Sequence, residues 1–322
     1  MRRVVFDAYG PPDVLRTVDG EVPEPGEGQV LVRVAAAGVN FVDLYQRSGA
    51  YTVRFPFTPG FEGSGTILGV GPGVPGFAAG DRVAWAGSPN SYATHCLVKA
   101  ERLVPVPDAL DLDVAAAVLI QGMTAHFLAS DVVTLPEGAT CLVHAAAGGV
   151  GALLCQLAVL RGAKVIGTVS SAAKAEVAQA AGAGHVIDYS AGDFAERVKE
   201  ITGGEGVDVV YDAVGRDTFE AGLTCLRPRG TFVLYGQTSG PAAPLDPQVL
   251  NARGSLFLTK ASLGHYDKTR EQLLHRAGEV FAAVVDGSLR PRVHQTYTLA
   301  DAPEAHREIE SRNAIGKVLL RP

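Results

Sequence analysis

Cysteine is scarce. Cys96, Cys141, Cys155 and Cys225 are the only four in 322 residues and stand singly, with no C-x-x-C pair, which argues against a zinc ribbon and against a disulfide framework. Cys141 and Cys155 fall in apolar runs, where cysteine behaves as a small hydrophobe. The eight histidines show no H-E-x-x-H or related spacing, so no metal is expected. Basic residues are also outnumbered: 28 Lys and Arg stand against 34 Asp and Glu, a formal net charge of −6. A polyanion is a poor partner for such a chain, and without a basic or aromatic stripe no nucleic acid is expected. The one long uncharged stretch, "CLVHAAAGGVGALLCQLAVL" over 141–160, is broken by "GGVG" in its middle, so no membrane association is expected. The opening "MRRVVFDAYG" is interrupted by Asp7 and Gly10 and does not read as a secretory signal; a cytoplasmic protein is expected.

What is present suits a globular protein of two lobes, with 47% hydrophobic and 19% charged residues over a length that exceeds one ordinary core. Short strands cut by Gly and Pro come first, beginning with the period-two alternation of "QVLVRVAAAG". An Ala-rich apolar helix, "LDVAAAVLIQGMTAHFL" over 112–128, suits a bridge between lobes. From residue 139 strands and helices alternate: "ATCLVHAA", "GALLCQLAVLRG", "AKVIGTV", "AAKAEVAQAAG", "HVIDY", "DFAERVKEITGG", "VDVVYDAV", "FEAGLTCLRPRG", "TFVLYG". That rhythm predicts an α/β fold with a doubly wound parallel sheet covered on both faces. The segments after this alternating stretch are expected to fold back on the β-rich first lobe.

"CLVHAAAGGVG" reads as a buried strand entering a turn that opens a helix. On the G-x-G-x-x-G pattern Ala146 takes the first place, Gly148 the second and Gly151 the third. Gly148 would let backbone amides approach a pyrophosphate, Gly151 would let helix and strand pack closely, and the helix N-terminus would face the anion. The second strand of such a unit usually ends in an acid that takes the ribose hydroxyls and repels a 2'-phosphate. Here "GTVSSAAK" has Val169 at that place, followed by Ser170, Ser171 and Lys174. Hydroxyl donors and a compact cation favour the phosphorylated cofactor, NADPH. Ser170 as a helix cap and Lys174 on a solvated face is the plainer reading, and the two are compatible.

With this order of parts the chain resembles the zeta-crystallin-like quinone oxidoreductase branch of the medium-chain dehydrogenase/reductase superfamily. The resemblance covers essentially all 322 residues and is carried by "GVNFVDLYQRSGAY" (38–51), "PFTPGFEGSGTILGVGPGV" (56–74), "LIQGMTAHFL" (119–128), "HAAAGGVGALLCQLA" (144–158), "GTVSSAAKAE" (167–176), "VVYDAVGRDTFE" (209–220) and "ESRNAIGKVLLRP" (310–322). It implies a β-rich GroES-like catalytic domain over 1–122, a Rossmann cofactor-binding domain over 123–262 and a C-terminal segment, 263–322, returning to the catalytic domain. Zinc relatives in this superfamily place a catalytic cysteine where this chain has Asn40 and a histidine where it has Phe61, and the structural cysteines are missing after "GDRVAW". Amide and phenyl side chains do not ligate zinc, which again implies no metal.

The resemblance further places Asn40 and Tyr45 as catalytic donors at the nicotinamide end of the site, with Phe41 beside them. Asn40 also reads as a helix N-cap, and Phe41, Leu44 and Tyr45 as one helix face. Gln121 and Thr124 match a segment lining the cleft. Gly148, Gly149, Val150 and Gly151 would cradle the pyrophosphate, and Ser170, Ser171 and Lys174 the 2'-phosphate. Tyr189 is placed near the adenine and Val214 beside its ribose; Gly236, Gln237, Thr238 and Ser239 follow the "TFVLYG" strand; Ala261, Ser262 and Leu263 lie near the nicotinamide. Arg312 and Lys317 would sit close to the cofactor, although from residue type alone they read as solvated charges.

Hydride transfer needs an acceptor held against the nicotinamide in a dry site, with negative charge on its oxygen stabilised. A quinone accepts electrons readily and asks little more, so the expectation is a zinc-independent NADPH-dependent quinone reductase with the acceptor in the cleft between the domains. An NADPH-dependent reductase of α,β-unsaturated carbonyls is the alternative; it needs a proton donor at the α-carbon, for which Tyr45 is the candidate. A non-catalytic nucleotide- or RNA-binding protein is a second alternative. Family members are commonly homodimers, and "GSLFLTKASL" offers an apolar strand at a sheet end that could pair with its twin.

Overall fold

The computed structural model describes residues 1–322, apart from the side chain of residue 191. In chain order the strands and helices begin with β1 (Arg2–Val5), β2 (Arg16–Asp19), β3 (Gln29–Val39), α1 (Phe41–Ser48), β4 (Glu62–Val70), β5 (Arg82–Ala86), β6 (His95–Lys99), β7 (Leu103–Pro105) and α2 (Leu112–Phe127). The alternating stretch follows as β8 (Thr140–Val143), α3 (Gly149–Leu160), β9 (Lys164–Val169), α4 (Ala172–Ala180), β10 (His185–Asp188), α5 (Phe194–Ile201) and β11 (Val207–Asp212). It continues with α6 (Phe219–Thr224), β12 (Leu226–Leu234), α7 (Pro247–Ala252) and β13 (Phe257–Lys260). The chain closes with α8 (Arg270–Val285), β14 (Val293–Thr298), α9 (Ala302–Glu310) and β15 (Lys317–Arg321). Two compact units form, one of Met1–Met123 with Asp267–Pro322, the other of Thr124–Tyr266.

The first unit is built on β3, whose eleven residues alternate enough to bury one face and then run fully buried at the C-terminal end. A seven-stranded sheet has the order β14-β15-β3-β4-β5-β7, with β6 also paired to β3. One edge of β3 is shared: its first half pairs with β6 and its last residues, Ala37 to Val39, pair antiparallel with β15. Bulges at Leu31/Val32 and Val34/Ala36 bend the strand between these partners. This register brings the starts of β4 and β15 to the end of β3, where the chain turns into α1.

The second unit is a six-stranded sheet of order β10-β9-β8-β11-β12-β13, every neighbouring pair parallel. Near-continuous apolar strands such as "CLV" and "VDVVYD" are what a sheet covered on both faces demands. On one face Leu142, Ile166, Val210 and Phe232 pack against Phe194, Val198, Phe219 and Leu223 of α5 and α6. The Phe219 and Phe232 rings meet edge to face at 5.1 Å, and emptying such a site costs roughly 3 to 5 kcal/mol. The strand order reverses between β8 and β11, so the crevice at their carboxyl ends is the place where this architecture accepts ligands.

Candidate active site

In the second unit, six carboxyl-end segments converge on one edge of the parallel sheet. After β8 the chain enters 145–151 with Ala145 in the left-handed region at φ 54. A side chain at Gly151 would overlap the Ala145 carbonyl oxygen and lie 2.9 Å from its carbon, so only glycine lets the helix start this close to the strand. Gly148 caps α3 without any side-chain hydrogen bond. The leading amides of α3 are therefore left for an anion, with the positive end of the helix dipole behind them.

The turn after β9 carries the cation. Lys174 Nζ donates to Ser170 Oγ at 3.0 Å, while the backbone N–H of Lys174 donates to Ser171 Oγ at 3.4 Å. The cap of α4 is thus Ser171 and not Ser170 as the sequence suggested: Ser171 has the extended backbone of a cap position and its Oγ takes the third amide of the helix. Ser170 is left facing the ammonium. At the end of β11 Asp212 is fully buried, and its Oδ1 accepts from Val214 N at 2.6 Å and Gly215 N at 3.1 Å while Oδ2 accepts from Thr218 Oγ1 at 2.8 Å. Val214 is held in turn by Ser239, whose N and Oγ both donate to its carbonyl, at 2.8 and 2.7 Å. Thr238 N bonds Ala213 O, Gly236 N bonds Asp212 O, and Gln237 Oε1 accepts from Lys260 Nζ.

The first unit gathers a different set. Lys317 and Glu62 form an ion pair with side chains 1% and 0% exposed. Asn40 joins both: its Oδ1 accepts from Lys317 Nζ and its Nδ2 donates to Glu62 Oε1, each at 2.8 Å. Glu62 Oε2 accepts from Ile120 N at 2.9 Å. Gly38 lies underneath, and a Cβ there would sit 2.6 Å from Lys317 Cε and overlap the carboxylate. The backbone N–H of Asn40 donates to Asp43 Oδ2 at 2.9 Å, one arm of a capping box that starts α1. On that helix the half-buried Tyr45 ring lies 6.2 Å from Phe41 and 5.3 Å, edge to face, from Tyr51.

Residues 149–277 match the family model for zinc-binding dehydrogenases, and residues 26–108 match the alcohol dehydrogenase GroES-like domain. The chain is 43% identical to a quinone oxidoreductase of Pseudomonas aeruginosa over 100% of this chain and 99% of that protein. It is also 43% identical to a 2-haloacrylate reductase of a Burkholderia species over 99% of this chain and 98% of that one. The crystal structure of Escherichia coli quinone oxidoreductase complexed with NADPH superposes with a TM-score of 0.98 at 41% identity, covering 100% of both chains. The chain belongs to the quinone oxidoreductase family. Its fold is the Rossmann-type doubly wound sheet joined in one chain to a GroES-like unit, as that family predicts.

Within this family fold, the residues singled out from sequence fall into two groups. Gly148, Gly149, Val150, Gly151, Ser170, Ser171, Lys174, Tyr189, Val214, Gly236, Gln237, Thr238, Ser239 and Ala261 all follow the carboxyl ends of parallel strands in the second unit. Ser262 and Leu263 continue from Ala261, the first exposed and the second half-buried. Asn40, Phe41, Tyr45 and Lys317 gather at the end of β3 in the first unit, while Gln121 and Thr124 are half-buried on α2. Arg312 and Lys317 part company: Arg312 is exposed with φ 59, and Lys317 is buried. A solvated lysine is thus the wrong picture for position 317. Among the described residues no group of three or more His, Cys, Asp or Glu could hold a metal ion.

Sequence reasoning passed over Glu62, Asp43 and Asp212. Asp43 had a visible signal in the N-x-x-D spacing from Asn40, and Asp212 in an acid placed between an apolar strand and a glycine turn. Glu62 had none, since its value lies in a partner at the far end of the chain.

Proposed function

We propose that this protein is an NADPH-dependent quinone reductase that works without zinc. The observation that carries the reading is the turn after β9, where Val169 stands in the place of the ribose-binding acid and the Ser170 and Lys174 that follow it hydrogen-bond each other. The open N-terminus of α3, the glycine that admits it and the Ser170–Lys174 pair fit a phosphorylated dinucleotide. Gly148, Gly149, Val150 and Gly151 would hold the pyrophosphate, Ser170, Ser171 and Lys174 the 2'-phosphate, and Tyr189, Val214 and the 236–239 turn the adenosine side. Asn40, Phe41, Tyr45, Gln121, Thr124, Ala261, Ser262, Leu263, Arg312 and Lys317 would serve the nicotinamide end. When bound, NADPH supplies the reducing electron pair.

The rest of the work falls to the chain's own side chains. Tyr45 offers a phenol O–H to an acceptor oxygen, where it stabilises growing negative charge. Asn40 keeps a fixed amide in place, because both ends of its side chain are spent on Lys317 and Glu62. Phe41 and Tyr51 border Tyr45 with apolar ring surface, which suits a flat acceptor. A quinone needs no more than this, since both its oxygens take negative charge readily.

The 43% identity to a protein named 2-haloacrylate reductase keeps reduction of an α,β-unsaturated carbonyl as a second reading, with Tyr45 as proton donor. A spectrophotometric assay of NADPH oxidation against a panel of quinones and enals separates them. Turnover with quinones tenfold or more above that with enals supports the first reading, and the reverse order supports the second. Binding of NADPH with no oxidation by either class would defeat both.

We infer a homodimer from β13, which lies at the edge of its sheet with Phe257 61% and Leu258 38% exposed; an unpaired apolar edge favours pairing with its twin. A cytoplasmic location with no nucleic-acid or membrane partner is part of the same reading. The 21 residues of Leu112–Val132 are long and apolar enough to cross a membrane, but most of that stretch is buried inside the protein.

A further inference from the structure

Three large aromatic rings near the end of α1 stand open to solvent: Tyr9 at 40%, Tyr51 at 47% and Phe55 at 41%. Exposed rings in a group, unlike single ones, call for a reason. Tyr9 holds both ends of the segment that carries Tyr51. Its ring lies on Gly49, where φ is 86 and a Cβ would come within 3.0 Å of the ring, and it meets Phe55 edge to face at 4.8 Å. Its hydroxyl accepts from Val53 N at 3.0 Å and donates to Val53 O at 3.4 Å. One phenol thus takes the two backbone groups that a partner strand would take. Among the described residues no other group hydrogen-bonds the backbone between Thr52 and Pro56.

Tyr9 is itself fixed. Gly10 N donates to Arg47 O at 3.1 Å, and the buried Arg47 returns a bond from Nε to Gly10 O at 3.1 Å. Earlier in the same segment, Phe6 and Phe57 exchange backbone hydrogen bonds at 3.0 Å each. The N-terminal segment therefore grips the last turn of α1 on one side and the chain beyond Phe55 on the other. Tyr51 stands between the two points that Tyr9 touches. Its N–H donates to Tyr45 O at 2.9 Å, which doubles the chain back on the helix, and its ring meets the Tyr45 ring at 5.3 Å.

We propose that Tyr9 is a positioning residue: by clasping Gly49 and Val53 it fixes the ring of Tyr51 beside Tyr45, and so selects acceptors by the extent of their ring system. This rests on the reading in which Tyr45 meets the acceptor oxygen. A one-ring acceptor is served by Tyr45 and its hydrogen bond. A three-ring acceptor offers enough face to cover Tyr51 as well, and gains from that contact only when the ring is already held in place.

The test compares the wild type with Tyr9→Phe, which keeps the ring and its seat on Gly49 but loses both bonds to Val53. Exchange of the Val53 amide, read in a peptide spanning residues 49–57, is expected to quicken roughly tenfold or more. At saturating NADPH the KM for 9,10-phenanthrenequinone is expected to rise about 3- to 10-fold, the worth of one aromatic contact. The KM for 1,4-benzoquinone and kcat with both quinones should stay nearly constant. Tyr51→Leu removes the face itself and should raise the same KM, and Tyr9→Phe added to it should raise it no further. A generally loosened fold would instead lower kcat with both quinones and add its effect to that of Tyr51→Leu. Unchanged Val53 exchange, an equal rise in KM for the two quinones, or additive effects overturn the role. A wild type that reduces neither quinone defeats the quinone reductase reading instead, and Val53 exchange then decides by itself whether Tyr9 holds the segment.

Discussion

The ammonium of Lys174 turns back along α4 to donate to Ser170 Oγ at 3.0 Å, at the end of a strand where a ribose-binding acid would otherwise stand. Two groups able to donate to a phosphate thus meet beside Val169, which stands in the place of that acid. Lys174→Ala is expected to raise the Kd for NADPH roughly 10- to 100-fold, the worth of one or two charge-assisted hydrogen bonds. The Kd for NADH should hardly move. Titrations of cofactor fluorescence measure both, and equal weakening would count against the phosphate role.

Gly151 tests the cradle. Its missing Cβ is the space taken by the Ala145 carbonyl, and both atoms belong to backbone that cannot swing aside. Gly151→Ala should cost about 1 to 3 kcal/mol through overpacking and push α3 away from the strand. A thermal melt and an NADPH titration on the same variant would show a lower Tm and lost affinity. Wild-type affinity in the variant contradicts the role given to the loop.

His306 makes stability depend on pH. Its folded pKa of about 3 lies below the ordinary 6.5, so between those values the unfolded chain binds the extra proton. The stability it contributes is present above pH 6.5 and is lost as pH falls toward 3, by up to about 1.4 kcal/mol per unit. Asp43, with its pKa raised to about 7, has the opposite sign: its contribution falls as pH rises from about 4 to 7. Urea unfolding at pH 4 to 8 should give His306→Gln a shallower loss on acidification than wild type. Parallel curves would mean that the ring is not held neutral.

The thiols should be silent. Cys96, Cys141, Cys155 and Cys225 are all buried, and burial pushes Cys96, Cys141 and Cys225 up to about 12 and Cys155 further. Thiolate is the reactive form, so an aromatic disulfide reagent should titrate none of the four in the native protein and all four in denaturant. The same burial predicts resistance to arylation by excess 1,4-benzoquinone, which intact-mass measurement would check. Rapid native labelling of even one thiol would contradict the packing around it.

Much of the second unit could be read from order alone. Its strands are apolar throughout, its helices and glycine turns recur at short intervals, and each such signal is satisfied by neighbours close in the chain, as with Gly148, Gly151 and Ser171. Ser170 was misassigned as the cap by one position because hydroxyls at both positions suit a cap, and the folded chain separates them: Ser171 Oγ takes the Lys174 amide and Ser170 Oγ the Lys174 ammonium. Asp212 shows the same limit: its acid was visible, but its four-residue turn of amides and a threonine was not.

The sequence by itself determined the alternation of strands and helices in the second unit, where the glycine turn after β8 lies and that no acid ends β9, because those properties depend on periodicity and on side chains a few residues apart. Only the tertiary structure decided that Lys317 is buried against Asn40, 277 residues away, with Glu62 between them. A lysine in sequence is an ordinary solvated charge until a strand register places it beside a carboxylate and removes the water. The pairing of β15 with the end of β3 does that here, and it turns three unremarkable polar residues into one fixed group at the head of α1.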